Sequence, residues 1–510
     1  MEKGFHRNIS ARGSDEFTNI KLTKPVRHAA GMLGIQAALQ HGFKEMGVLR
    51  SMRALLNMNQ NDGFECPSCA WPDPDKPSKI GEFCENGAKA LADEATTVHI
   101  GHDFFERNSV AELSLLSDYE LNKLGRLVEP LVLRAGKLYY EPIAWQEAYD
   151  LISEELRKLS TPDEAIFYTS GRSSNEAAFL YGMFARAFGT NNMPDCSNMC
   201  HESSGVALGE TLGIGKGSIK LEDLYEAEVV IVAGQNPGTN HPRMLTALEK
   251  CKENGGKVIS INPLEESGLV NFKNPQSVKG MLGGGEDLTN IHLPVNINQD
   301  IPLIKLIIKK SAALDAIDQS VFDHGFIKKY VDGYDALLND IDNYDVQELL
   351  QLTGVDEAKI NETAQLLASK SKIVVCWAMG LTQHKNGVET IREYINLLLL
   401  KGAIGKPNAG TCPVRGHSNV QGDRSVGIMH HVDDKLNRRI EANLGFKPPT
   451  KEGLDTVSAM RAMHEGEGKV FVCLGGNFLM AASDTEYTAK ALQRCELTVQ
   501  ISTKLNRTHL

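Results

Sequence analysis

The feature that most constrains this 510-residue chain is a recurring unit: a short apolar run, a glycine- or asparagine-bearing loop, then in most cases a helical stretch. Ala165 to Thr169 is followed by Ser170-Gly-Arg-Ser-Ser174 and a helix rich in Ala and Phe. Glu228 to Ala233 leads through Gly234-Gln-Asn-Pro237 and His241 into a helix ending at Glu253. Lys257 to Ile261 leads to Asn262-Pro263, and Ile373 to Ala378 leads to Met379-Gly380 and a helix through Leu400. Val470 to Leu474 leads to Gly475-Gly-Asn477 and another helix. Strands buried on both faces of a parallel sheet read as continuous apolar runs, so the chain is expected to be α/β with doubly wound sheets. Gly34 to Leu56 has helical spacing, and Gly125 to Trp145 reads as a short strand pair feeding a helix from Trp145 to Leu159.

Two of these loops resemble each other. Val229 to Pro237 (VVIVAGQNP) and Val470 to Phe478 (VFVCLGGNF) share strand, Gly, one residue, Asn and a following ring. Glycine at the carboxyl end of a strand lets backbone approach a ligand, and the next helix offers free N–H groups to a phosphate. Each loop alone also reads as an ordinary strand-to-helix turn. Together they suggest two related domains, each holding a nucleotide. Neither matches G-x-G-x-x-G, which argues against an ordinary nicotinamide-dependent dehydrogenase.

Cysteine usage adds chemistry. Ten cysteines in a chain of this length are too sparse for a disulfide framework, which leaves metal ligation or core packing. Cys66-Pro-Ser-Cys69 lies in a proline-rich loop with Cys84 downstream; it reads either as one face of an iron–sulfur cluster or as a plain structural loop. Cys200 stands beside His201, with Cys196 one turn earlier, and the pair taken alone reads as a structural thiol beside an imidazole. Cys251, Cys376, Cys473 and Cys495 lie in or next to apolar runs and read as core, as does Cys412, while His241, His384 and His417 fall in loops. The net charge of −11 excludes a typical nucleic-acid binder. The longest apolar helix-like run, Ile395 to Leu400, cannot cross a bilayer, and no export signal is visible. A cytoplasmic protein is the expectation.

Ala378 to Gly422, containing GKPNAG and PVRGHSNVQG, resembles the large subunit of molybdopterin oxidoreductases, in the formate dehydrogenase-like branch sometimes called oxidoreductase alpha. DCSNMCHESSGVALGETLG resembles the active-site stretch of that family, EVVIVAGQNPGTNHPRM its nucleotide turn, and CPSCAWPD the cluster loop of the branch. The resemblance spans about residues 60–510, with the motifs in order. It implies a molybdenum bis(molybdopterin guanine dinucleotide) centre with Cys200 as metal ligand, His201 handling protons and Arg415 holding a small carboxylate. It implies further that Gly234, Asn236, Pro237, Asn262, Gly475 and Asn477 contact the two nucleotides. Lys89 would lie between a pterin and a [4Fe-4S] cluster held by Cys66, Cys69 and Cys84. Formate or a similar small substrate would be oxidised to carbon dioxide, with electrons leaving through the cluster to an acceptor protein or subunit.

The implied divisions are an N-terminal extension (1–60), an iron–sulfur region (61–105), a first nucleotide-binding domain (106–195, continued by 418–510) and a second (196–417). The resemblance implies a C-terminal β-rich cap following KLNRTHL, so the chain is expected to be a truncated form. Asp73 stands four residues after Cys69, near where the resemblance implies a fourth cysteine, so it is a candidate fourth cluster ligand. Asn262 stands where many relatives place an acid for a ribose, and Glu202-Ser203 replace the Gly-Pro that follows the His in some formate enzymes. Two alternatives stay open: the same fold with another substrate, and a metal-free electron-transfer or docking scaffold.

Overall fold

The computed structural model describes residues 24, 26–79 and 81–510, so residues 1–23 of the expected extension lie outside it. Eight strands build two all-parallel sheets. They are β1 (Ala165–Thr169), β2 (Val229–Ala233), β3 (Lys257–Ile261), β4 (Ile291–Leu293), β5 (Ile373–Trp377), β6 (Gly410–Pro413), β7 (Val470–Leu474) and β8 (Leu497–Ile501). The larger sheet has the order β4-β3-β2-β5-β6 and the smaller β8-β7-β1.

Side chains on a strand alternate between faces, and here both faces are covered. On one face of the larger sheet Ile231, Ile259 and Val375 pack with Leu303 and Ile307 of helix Asp300–Asp318 and Ile395 of helix Gly387–Leu400. On the other, Val230, Val258 and Val374 pack with Met244, Leu245 and Leu248 of helix Pro242–Glu253. In the smaller sheet Phe471 faces Met460 and Met463 of helix Thr456–Glu465, while Phe167 and Val472 face Ala178 and Ala185 of helix Asn175–Phe188. Truncating any of these buried aliphatics to Ala would cost about 2–5 kcal/mol.

Three elements depart from the sequence expectation. Between β4 and β5 the chain inserts five helices, Asp300–Asp318, His324–Tyr330, Tyr334–Asp342, Val346–Thr353 and Glu357–Ala368. The helix expected after Met379-Gly380 and through Leu400 begins only at Gly387, and Met379-Gly380 opens a separate short helix, Met379–Thr382. The helix after Gly475-Gly-Asn477 is likewise split into Phe478–Ala481 and Thr485–Leu492, the second capped by Asp484. The expected short strand pair ahead of Trp145 is present as Leu131–Val132 antiparallel to Glu141–Pro142, while Arg126–Leu127 pairs with the earlier His99–Ile100.

Ahead of the sheets, helices Gly31–Met46, Val48–Asn57 and Glu85–Glu94 bury Ala38, Leu55, Met58, Ala88 and Leu91 together. The cysteine loop runs between this small core and the larger sheet. Asn59, with a left-handed φ of 58°, accepts the Cys66 N–H at 2.8 Å and donates to the Glu82 carbonyl at 2.7 Å, pinning both arms of the loop. Asn tolerates that backbone region better than most residues, which suits it to the post.

Candidate active site

Ligands in open α/β sheets bind beyond the carboxyl ends of the strands. Here the ends of β2, β3 and β5 open on a cavity of about 770 Å³. Its wall contains five of the expected residues: Cys69, Lys89, Gly234, Asn236 and Asn262. The β2 and β5 loops cross in contact, with the Gly380 N–H donating to the Gly234 carbonyl at 2.9 Å. A β-carbon on Gly234, whose φ is +55°, would stand 2.6 Å from Leu381 Cδ1 and 2.8 Å from the Gly380 carbonyl carbon. Both glycines are therefore required by the crossing itself.

The polar atoms of this rim are differently occupied. Asn236 caps the next turn by accepting the Thr239 N–H at 3.1 Å and donates to Glu266 at 2.5 Å, while Pro237 occupies the first helical position. Asn262 donates to the Gln235 carbonyl at 3.2 Å and accepts the Leu264 N–H at 3.2 Å, so its amide is spent on the loop. Lys89 and Arg172 bring positive charge to the cavity, and neither has a carboxylate within 4.0 Å among the described residues. Gly475 and Asn477 lie at the end of β7 in the other sheet and do not line this cavity. Gly475 abuts Ser170, and Asn477 donates to Asp118 and accepts from Thr508, each at 3.1 Å.

Cys200, His201 and Arg415 do not themselves line the cavity; its wall includes Met379, which touches Cys200, and Val414 and Gly416 on either side of Arg415. Cys200 is 8% exposed, with its Sγ 3.7 Å from Met379 Sδ. Burial pushes its thiol pKa up, while the Gly416 backbone and the Arg415 guanidinium pull it back down. Arg415 is also 8% exposed; one nitrogen, Nη2, donates weakly to the Gly215 carbonyl at 3.3 Å, and Nη1 is buried with no partner. A buried guanidinium with an open donor is a costly arrangement without an anion to meet it.

His201 is placed differently from a proton carrier. Its Nε2 donates to the Val414 carbonyl at 3.1 Å, which leaves Nδ1 as acceptor for the Ser204 hydroxyl at 2.9 Å. The Trp377 indole N–H donates to the same hydroxyl at 2.9 Å. Burial and the nearby Arg415 depress the His201 pKa to about 3, so the ring is neutral with both nitrogens engaged. This arrangement holds the strand end that leads into Arg415. Cys196 has its Sγ 2.9 Å from Nδ1 of His417.

The three loop cysteines converge around the first turn of helix Glu85–Glu94. Cys84 caps that helix, its Sγ accepting the Gly87 N–H at 3.4 Å, and a β-carbon on Gly87 would come within 2.9 Å of Cys66 Sγ. Burial raises all three thiol pKa values, to about 11 for Cys66 and about 12 for Cys84; Cys69 raises that of Cys66 further, and both raise that of Cys84. Among the described residues no three His, Cys, Asp or Glu side chains are grouped to hold a single metal ion. Asp73 does not join the thiols; it faces Arg243 at 2.8 Å, and Arg243 also grips Glu82 at 2.8 Å.

Sequence reading did not weigh Gln235, Arg172 or Asp300, all of which line the cavity, and left His241 unassigned. Asp300 is buried, and one of its oxygens accepts the Tyr394 hydroxyl at 2.9 Å. Gln235 and His241 stood inside a quoted motif, and only their burial marks them out.

With this geometry in hand, the chain was compared with known proteins. Residues 126–509 match the family described as molybdopterin oxidoreductase. An uncharacterized oxidoreductase of Mycobacterium tuberculosis is 49% identical over 488 residues, covering 95% of this chain and 62% of that protein. Protein YdeP of Escherichia coli is 43% identical, covering 94% of this chain and 64% of its own length. The chain thus spans less than two thirds of the curated relatives it matches. The alpha subunit of F420-dependent formate dehydrogenase 2 of Methanococcus maripaludis is 28% identical over 381 residues, 73% of this chain and 53% of that subunit. Acetylene hydratase from Pelobacter acetylenicus shares the fold, with a TM-score of 0.55 at 19% identity over 74% of this chain and 52% of its own. No helix among the described residues is long and apolar enough to cross a membrane. The family match covers three quarters of the chain, and the chain belongs to the molybdopterin oxidoreductase family.

Proposed function

We propose that this chain is the α/β body of a molybdenum-dependent oxidoreductase of the formate dehydrogenase type. It would oxidise formate, or a similar small carboxylate, at a bis(molybdopterin guanine dinucleotide) centre and pass electrons through a [4Fe-4S] cluster to an acceptor protein or subunit. The observation that carries this reading is the buried, unpartnered Nη1 of Arg415 beside Cys200.

The residues beside the cavity fit the metal–pterin group, while the cysteine loop offers three thiols and no fourth ligand for the cluster among the described residues. Cys200 would ligate molybdenum, since a soft thiolate suits a sulfur-rich shell and Arg415 favours its deprotonated form. When bound, the metal–pterin group supplies acceptance of two electrons from the substrate. Lys89 and Arg172 offer charge to nucleotide phosphates, and the Gly234 backbone allows close approach. Asp300, with one oxygen still free of Tyr394, can accept from a base N–H. Cys66, Cys69 and Cys84 would hold the cluster, with the Gly87 N–H directed at one sulfur.

Arg415 would orient the carboxylate through its open N–H, a charge-assisted bond in a dry wall. His201 contributes by fixing the Val414 carbonyl, and so the backbone entering Arg415, rather than by moving a proton. Glu202 favours a variant of this reading with another small substrate: its carboxylate lies two residues past Cys200 and is held by Arg424 at 2.6 Å. Formate-dependent dye reduction by the metal-loaded protein tests the reading. Arg415→Ala and Arg415→Lys should each lower kcat/KM by about 10²-fold or more. Activity within threefold of the parent in both would contradict it.

A further inference from the structure

Two buried side chains in the cavity wall, Gln235 and His241, are not accounted for by the reading above. His241 is 2% exposed, and its Nε2 lies 3.0 Å from the Arg415 carbonyl oxygen. A carbonyl only accepts, so Nε2 carries the proton and Nδ1 is an acceptor. Gln235, 3% exposed, must then turn its amide nitrogen towards Nδ1, at 3.2 Å. The same nitrogen reaches Met244 Sδ at 3.1 Å. This fixes the amide orientation and leaves Gln235 Oε1 buried with no partner. An orphaned acceptor in a cavity wall calls for a donor from whatever fills the cavity.

The Arg415 carbonyl is also the acceptor for the Ala70 N–H, at 3.3 Å, in the residue after Cys69. One oxygen therefore joins the nucleotide loop, the cysteine loop and the substrate arginine. The Arg415 side chain has a single long hydrogen bond of its own, so its backbone anchor sets its position.

We propose that Gln235 and His241 form a positioning link, in which a donor N–H or O–H of the cavity's occupant engages Gln235 Oε1 and thereby steadies the Arg415 backbone and the Cys69 loop. Gln235 senses the occupant, and His241 transmits its position. The link rests on Arg415 serving as the substrate-holding group.

Backbone hydrogen exchange on the full chain, compared between its molybdenum–pterin-loaded and cofactor-free forms, tests the link without any substrate. Loading should slow exchange at the Ala70 amide and across residues 414–416 by about tenfold. Gln235→Leu, still loaded, should lose that difference. His241→Leu should lose it too, while His241→Gln, which keeps one donor and one acceptor, should restore at least half of it on a logarithmic scale. No protection in the parent, or the same protection in Gln235→Leu, would overturn the proposal. If Gln235→Leu does not load, the comparison is read on His241→Leu. Failure of both to load would also overturn it, because the pair would then hold the cofactor instead of transmitting its presence. A parent that shows the protection but turns over no small carboxylate would leave the link standing and remove the assignment of substrate.

Discussion

Arg424 grips Asp195 through two parallel hydrogen bonds, Nε to Oδ2 and Nη2 to Oδ1, each 2.9 Å long. The same guanidinium reaches Glu202 at 2.6 Å, so one side chain brackets the turn that carries Cys200 and His201. The bonds cross 229 positions of sequence and tie helix Val420–Ser425 to the segment entering that turn.

Removing Arg424 leaves a carboxylate at Asp195 that is 3% exposed and without its cation. Breaking such a pair from one side costs about 3–5 kcal/mol. Arg424→Met should lower the midpoint of chemical denaturation accordingly, and Arg424→Lys should recover only part, because lysine cannot make the parallel pair. An unchanged midpoint in Arg424→Met would show that the bracket is not structural.

The acid sensitivity of the fold should reflect His201. Its imidazole titrates near 6.5 when unfolded but only at about 3 when folded. The unfolded chain therefore binds more protons between those values, and stability is present in full above 6.5 and is lost as pH falls towards 3. His201→Gln should reduce the slope of unfolding free energy against pH, over pH 5 to 6.5, by up to about 1.4 kcal/mol per pH unit. The measurement is urea unfolding at a series of pH values; an unaltered slope would mean that His201 is reached by solvent in the native state.

On the proposed reading, the loop's thiols would bind a cluster while Asp73 braces the loop through Arg243. Cys66→Ala, Cys69→Ala and Cys84→Ala should each lower the iron bound per chain by at least about half. Asp73→Ala should keep its iron and lose the contacts of Asp73 with Arg243 and Glu65, at a cost of about 1–3 kcal/mol. Iron loss in Asp73→Ala with retention in Cys84→Ala would reverse the assignment of ligand and brace.

The strands legible in the sequence were those buried on both faces. β1, β2, β3, β5 and β7 are near-continuous apolar runs, and each is followed by its Gly or Asn turn. The unread strands carry weaker patterns. β4 is three residues long with His292 at its centre, β6 is GTCP at a sheet edge, and β8 (LTVQI) alternates because its sheet edge is half exposed. Helix Asp300–Asp318 was missed because it is apolar around much of its circumference: Leu303, Ile304, Leu306, Ile307 and Ile308 are all buried, so no stripe betrays it.

At the site, residue types in motifs pointed to Cys200, Arg415, Gly234 and the three loop cysteines. Hydrogen bonding was not legible. That His201 spends both nitrogens on Ser204 and Val414, and that His241 meets a carbonyl 174 residues away, follows from strand order and not from local pattern.

The central claim is that Cys200 ligates a molybdenum held by two guanine-bearing pterins. Its most direct test is the molybdenum and guanine nucleotide content of the protein purified from cells that make the cofactor, for the parent and for Cys200→Ser. The parent should carry about one molybdenum and two guanine nucleotides per chain, and Cys200→Ser should keep the nucleotides while losing most of the metal. A parent with neither molybdenum nor guanine nucleotide, or a Cys200→Ser variant with undiminished metal, would contradict the account.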